Sequence, residues 1–151
     1  MSSSDGQADY YATSKCLRKY FKHDNNKKII QTLAVPEIAR RKCEQSFHDA
    51  EKAAICMRTA VASESATKIF SLSRGVAFAT LYTEDRTVVS QTNSDRHPAP
   101  QCRLDTFFAG AVCKRSHLLP FSNYDARSGA CNRSYGDTEG VRPLCWYYPS
   151  S

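Results

Sequence analysis

No two cysteines of this 151-residue chain form a Cys-x-x-Cys or Cys-x-x-x-x-Cys pair, although seven are present. Zinc knuckles, zinc ribbons and thioredoxin-like redox motifs therefore lose their usual signature. There is also no phosphate-binding glycine loop, no His-Glu-x-x-His and no Gly-x-Ser-x-Gly. These gaps argue against the commonest nucleotide-binding, zinc-protease and esterase classes. No apolar run comes near the ~18 residues of a membrane span. Residues 1–9 are polar and lack the apolar stretch of a signal peptide. Internal repeats and low-complexity tracts are absent too.

What the chain does have is a scattered set of thiols: Cys16, Cys43, Cys56, Cys102, Cys113, Cys131 and Cys145. That scatter suits long-range disulfides formed in an oxidising compartment. Seven is odd, so at most three disulfides form. The remaining thiol is free, pairs with another chain or binds something. If Met1 replaces a removed leader, the protein is secreted or periplasmic. Otherwise it is cytoplasmic or organellar, with reduced cysteines packed as small hydrophobes.

The net charge is +6 and the isoelectric point about 9.0. This basic protein leans toward acidic partners such as nucleic acid, lipid headgroups or polyanionic glycans. Its length fits a single domain with a real core.

Residues 1–9 read as a disordered tail and residues 10–64 as helical. A first helix starts at Thr13 or Ser14, either of which can cap it, with Leu17, Tyr20 and Phe21 as its apolar edge. After Pro36, the residues Ala39, Cys43, Phe47, Ala50, Ala54, Met57 and Val61 recur at steps of three and four. That spacing predicts one continuous helix with a buried stripe. On such a helix Cys43 and Cys56 lie about 20 Å apart at 1.5 Å per residue. They then cannot pair with each other, and Cys16 becomes the favoured partner for one of them.

Residues 68–113 read as sheet. Gly75 to Tyr82 alternates like a strand, Thr87 to Thr92 returns as a hairpin, and Lys68 to Ser73 adds a third strand. Leu104 to Cys113 is a fourth apolar segment, where Gly110 argues against a helix. Residues 114–151 are loop-rich and tied by cysteines. The expected fold is α+β: an N-terminal helical hairpin packed on a small antiparallel sheet, with a cysteine-tied C-terminal loop region.

The functional reading is a non-enzymatic, extracytoplasmic binding or structural subunit stabilised by disulfides. A Cys131–Cys145 link would close a loop of about fifteen residues, contributing about 3 kcal/mol. Arg133, Tyr135, Arg142, Trp146, Tyr147 and Tyr148 would then meet a protein partner, since aromatics and arginine dominate binding hot spots. The competing reading docks Trp146 and the tyrosines on the sheet. Asn132-Arg133-Ser134 is a glycosylation sequon.

Two alternatives stand beside it. His97 and His117 could act as an acid–base pair in a small nuclease-like hydrolase, provided they converge. Cys113 with His117 forms a weaker thiolate–imidazole candidate. The basic-aromatic run from Lys15 to Lys28 could bind nucleic acid in an intracellular assembly. A mixed site of Cys16, His23, Cys43 and His48 is the only metal arrangement worth weighing, and its spacing does not demand a metal. No cofactor is implied.

Overall fold

The computed structural model describes residues 4–149. Among them no strand forms, so the α+β expectation is corrected to an all-helical architecture. The helices are α1 (Asp5–Tyr11), α2 (Leu17–Phe21), α3 (Asn26–Ile30), α4 (Glu37–Ser46), α5 (Ala50–Arg74) and α6 (Pro100–Val112). A π-helical turn, Ala12–Cys16, joins α1 to α2 without a break.

The first helix starts earlier than Thr13. The Ser4 hydroxyl accepts from the Gln7 amide at 3.3 Å, and Asp5 faces the positive end of the helix. Residues 5–9, expected as tail, are therefore helical, while residues 1–3 lie outside the described residues. The π-turn is where α6 crosses. A Cβ on Gly110 would lie 2.1 Å from Thr13 Oγ1 and 2.4 Å from the Tyr10 carbonyl oxygen. Gly110 counts against a helix on propensity alone, yet its missing side chain is what lets the two helices touch.

The expected continuous helix from Pro36 to Val61 breaks at residues 47–49. Phe47 is extended, with φ −131° and ψ 113°. Asp49 then caps α5 by accepting from the Lys52 amide at 2.8 Å. α4 and α5 fold back on each other, and Cys43 bonds to Cys56 with Cα atoms 5.6 Å apart. The inference that these two cysteines cannot pair fails because its premise, a continuous helix, fails.

Lys68 to Ser73 belongs to the last turns of α5 and not to a strand. Gly75, at φ 62°, ends that helix in the left-handed conformation. The Gly75–Tyr82 segment pairs with no strand: Gly75 is left-handed, and Leu81 and Tyr82 lie in a turn where the Thr83 amide donates to the Thr80 carbonyl. The side chain of Gln101 does part of that work instead, accepting from the Thr80 amide and donating to its carbonyl. Thr87–Thr92 forms no hairpin; the amide of Val89 donates to the Leu144 carbonyl, and that of Asn93 to the Trp146 carbonyl. Leu104–Cys113, expected in the sheet, is mostly α6.

Small residues set the core. Ala39, Ala60, Ala79, Leu81 and Leu104 pack as one cluster. The Cys43–Cys56 disulfide sits with Ala53, Met57, Ala111 and Val112 in another. The other links are Cys102–Cys145 and Cys113–Cys131, and Cys16 is a free, exposed thiol. The proposed Cys131–Cys145 loop does not exist. No helix of the described residues is long and apolar enough to cross a membrane. The three disulfides are consistent with an extracellular location.

Candidate anion-binding face

The two histidines proposed as an acid–base pair are far apart. His97 is exposed and its ring nitrogen pairs with the Asp5 carboxylate at the start of α1. It rims a shallow depression of about 220 Å³ with Phe70, Ser73, Arg74, Pro98 and Arg103. His117 instead lies within electrostatic reach of Arg18, Lys22, Lys15 and Lys52. Asp5 and Arg18 are thirteen residues apart on one helical run, or about 20 Å at 1.5 Å per residue. No shared cleft joins the pair. Cys113 is spent in a disulfide, which removes the thiolate–imidazole candidate. Cys43 is spent likewise, and His23 and His48 stand exposed in turns. Asp85 offers an oxygen near Cys102 and Cys145, but those two sulfurs are bonded to each other.

The partner residues expected at the C-terminus divide. Arg142, Trp146 and Tyr147 are buried, so they serve the core and are corrected as contact residues. Trp146 lies on Gly6 of α1. The Arg142 guanidinium donates to Gln7 Oε1 at 2.6 Å and to the Tyr11 hydroxyl at 2.9 Å. It also faces the rings of Tyr10, Tyr11 and Tyr147. The docking partner of this tail is helix α1, since the described residues form no sheet. Arg133, Tyr135 and Tyr148 remain exposed. Tyr135 is flanked by Arg115 and Arg127, which pair with Asp137 and Asp125.

The basic run of α2 holds together better. Lys15, Lys19 and Lys22 follow at steps of four and three, which places them along one side of the helix. Lys52, from the first turn of α5, joins them around His117. The loop 114–121 is pinned alongside. Lys15 Nζ donates to the Leu119 carbonyl at 2.6 Å, and Arg18 donates to the Arg115 carbonyl at 3.0 Å.

The four lysines here stand outside the ion pairs. Among the described residues, ion pairs engage Lys42, Arg58, His97, Arg103, Arg115 and Arg127. Lys15, Lys19, Lys22 and Lys52 are not among them. The field shows in the titrations. Burial lowers the His117 pKa, and Arg18, Lys22, Lys15 and Lys52 lower it further. Burial and Arg18 lower that of Lys15. Arg18 itself is pushed down to about 10, mainly by burial, and stays charged at neutral pH. Sequence reasoning found the α2 lysines, singled out His117 only as an acid–base candidate, and missed Lys52. Only the tertiary fold brings those two to the same place. The arrangement offers no nucleophile with an adjacent base; it offers a place where anions are favoured.

Fold and face together define a small all-helical protein, stapled by three disulfides and carrying a lysine-rich surface outside its ion pairs. Compared with known proteins, the chain matches no family model, no curated protein and no solved structure.

Proposed function

We propose that this protein is a non-enzymatic, extracytoplasmic binding module that takes an anionic partner on the face around His117. The observation that carries the reading is that Lys15 and Arg18 tie the loop bearing His117 to the lysine side of the helix, where Lys22 and Lys52 also act on His117 and, among the described residues, none of these lysines is in an ion pair. Assembling like charges costs free energy unless an anion offsets it. The three disulfides support a secreted or periplasmic setting. A protein partner at the C-terminal loop stays part of the proposal only through Arg133, Tyr135 and Tyr148, which face solvent.

Heparin-affinity chromatography tests the face, with heparin as a polyanionic probe. Lys19→Gln/Lys22→Gln/Lys52→Gln is expected to elute at clearly lower salt than the parent. A charge-matched control, Lys68→Gln/Arg86→Gln/Arg96→Gln, is expected to stay near the parent position. Equal losses in both variants would show that net charge, and not this face, governs binding. Absence of any retention would remove the anion-binding reading.

A further inference from the structure

Beside the lysines, the loop after His117 does something that a soluble face rarely does. Leu118 is 78 % exposed, Leu119 44 % and Phe121 59 %, and Tyr124 is fully exposed. These large side chains lie within seven residues, on a segment whose backbone is tied to the lysine side of the helix through Leu119 and Arg115. Contiguous exposed apolar residues rimmed by charge mark interaction sites.

We propose that this surface is a peripheral membrane contact, in which Leu118, Leu119 and Phe121 enter the interface of an anionic bilayer while the lysines meet headgroup phosphates. The inference rests on the anion-binding reading above and names its partner. An apolar element flanked by lysines is the pattern that binds lipid surfaces, because apolar burial and headgroup attraction act together. The local backbone suits the interface as well. Pro120 has no amide hydrogen to dehydrate, and the Leu119 carbonyl already accepts from Lys15.

Two other anionic partners fit less well. Nucleic acid bound without sequence preference needs aromatic faces on which bases stack. The exposed tip sets the aromatic Phe121 and Tyr124 beside the aliphatic Leu118 and Leu119, and the two leucines offer bases no face to stack on. An acidic protein would call for arginine and aromatics at the contact centre, and lysine is depleted there. Against a diffuse sheet of headgroup charge, lysine serves as well as arginine.

The test is co-sedimentation of the full, disulfide-intact chain with vesicles of phosphatidylcholine alone and of phosphatidylcholine mixed with phosphatidylglycerol. Binding is expected on the anionic vesicles, much less on the neutral ones, and weaker at high salt. The Lys19→Gln/Lys22→Gln/Lys52→Gln variant is expected to lose about a hundredfold in partitioning, at about fivefold per lysine. Leu118→Ser/Leu119→Ser/Phe121→Ser is expected to lose about tenfold or more on vesicles while keeping its parental heparin elution. A single variant guards against misfolding of that triple. In Phe121→Trp the new indole is expected to shift its emission to the blue on anionic vesicles only, over the constant signal of the buried Trp146.

Vesicle binding unchanged in the loop triple, or a Phe121→Trp emission that ignores vesicles, would overturn the membrane contact and leave the anion-binding face intact. Tighter binding to a DNA oligonucleotide than to vesicles, indifferent to the loop substitutions, would overturn it in favour of nucleic acid. Retention on neither heparin nor vesicles would remove both readings at once.

Discussion

Gly6 lies against the indole of Trp146 so closely that a Cβ would sit 2.2 Å from the ring. This contact seats the C-terminal tail on the first helix, beside the Cys102–Cys145 link. Alanine at position 6 would raise helix propensity by about 1 kcal/mol. Overpacking a buried ring costs about 1–3 kcal/mol, and here the obstacle is a rigid ring and not a flexible chain end. Gly6→Ala is therefore expected to lower the midpoint of denaturant unfolding and to red-shift native Trp146 emission. A raised midpoint would show that the tail yields without loss.

Arg18 ends helix α6 from outside it. Its guanidinium donates to the carbonyls of Gly110 at 3.1 Å, Ala111 at 2.9 Å and Cys113 at 2.5 Å. The Gly110 carbonyl otherwise accepts only a long 3.4 Å bond from the Cys113 amide, the last carbonyls of a helix lack intrahelical partners, and a cation suits the negative end. No carboxylate pairs with Arg18, so the carbonyls and the Phe47 ring at 5.0 Å hold the charge. Arg18→Gln is expected to cost roughly 1.5–3 kcal/mol, with amide exchange accelerating first at the end of α6. Arg18→Lys recovers only part, because an ammonium lacks the planar fork. Unchanged exchange there would refute the capping role.

The disulfides differ in the loops they close. Cys102–Cys145 spans 43 residues and Cys43–Cys56 spans 13. In the chain-entropy account these are worth about 4 and about 3 kcal/mol. Replacing both cysteines of the longer link by serine is expected to cost more than replacing those of the shorter one. Cys16 is exposed and unbonded, so Cys16→Ser leaves stability unchanged. Intact mass after alkylation in denaturant is expected to show six oxidised cysteines and one free thiol. Seven free thiols would overturn the disulfide framework.

Much of this could be read in advance, and the failures have physical causes. Parity alone capped the links at three and left at least one thiol over. The apolar stripe of α4 and α5 was legible, but its phase runs through the break and hides it. The sign that was present is Asp49, a strong helix-capping residue directly before the small apolar run of α5. The alternation from Val76 to Tyr82 falls on an irregular segment that ends in a turn at Leu81 and Tyr82. An alternating pattern becomes a strand only when another backbone supplies the bonds, and here the Gln101 side chain takes that place. Gly110 was weighed by propensity, whereas its neighbour Thr13 decided the matter. The lysines of α2 were visible as a run. Their meeting with Lys52, at least thirty residues on, and with His117, nearly a hundred residues on, depends on tertiary contacts that no local pattern encodes.

Asp105 gives the stability a distinctive pH dependence. Burial raises its pKa to about 6, while the Asp85 amide and Gln101 pull the other way. The folded value lies above the unfolded 3.8, so ionising Asp105 costs stability at neutral pH. The relief grows as pH falls through about 6 and is complete below 3.8. The non-titrating Asp105→Asn shows no such gain. The melting temperature of the parent is expected to rise relative to Asp105→Asn between pH 7 and pH 4. A constant difference over that range would place the Asp105 carboxyl at its ordinary value.

His117 runs in the opposite direction. Burial and four cations hold its pKa below the usual 6.5. The unfolded chain therefore takes up the proton first. His117 costs stability as pH falls below 6.5, and the loss levels off below its folded value. A bound polyanion offsets the surrounding charge and favours the imidazolium, so protonation and anion binding reinforce each other by reciprocity. Heparin retention is expected to strengthen between pH 7 and pH 5, and His117→Gln to flatten that rise. In an NMR titration, added heparin fragments are expected to move the His117 midpoint upward, less so at high salt. A midpoint indifferent to heparin would place the bound anion away from His117.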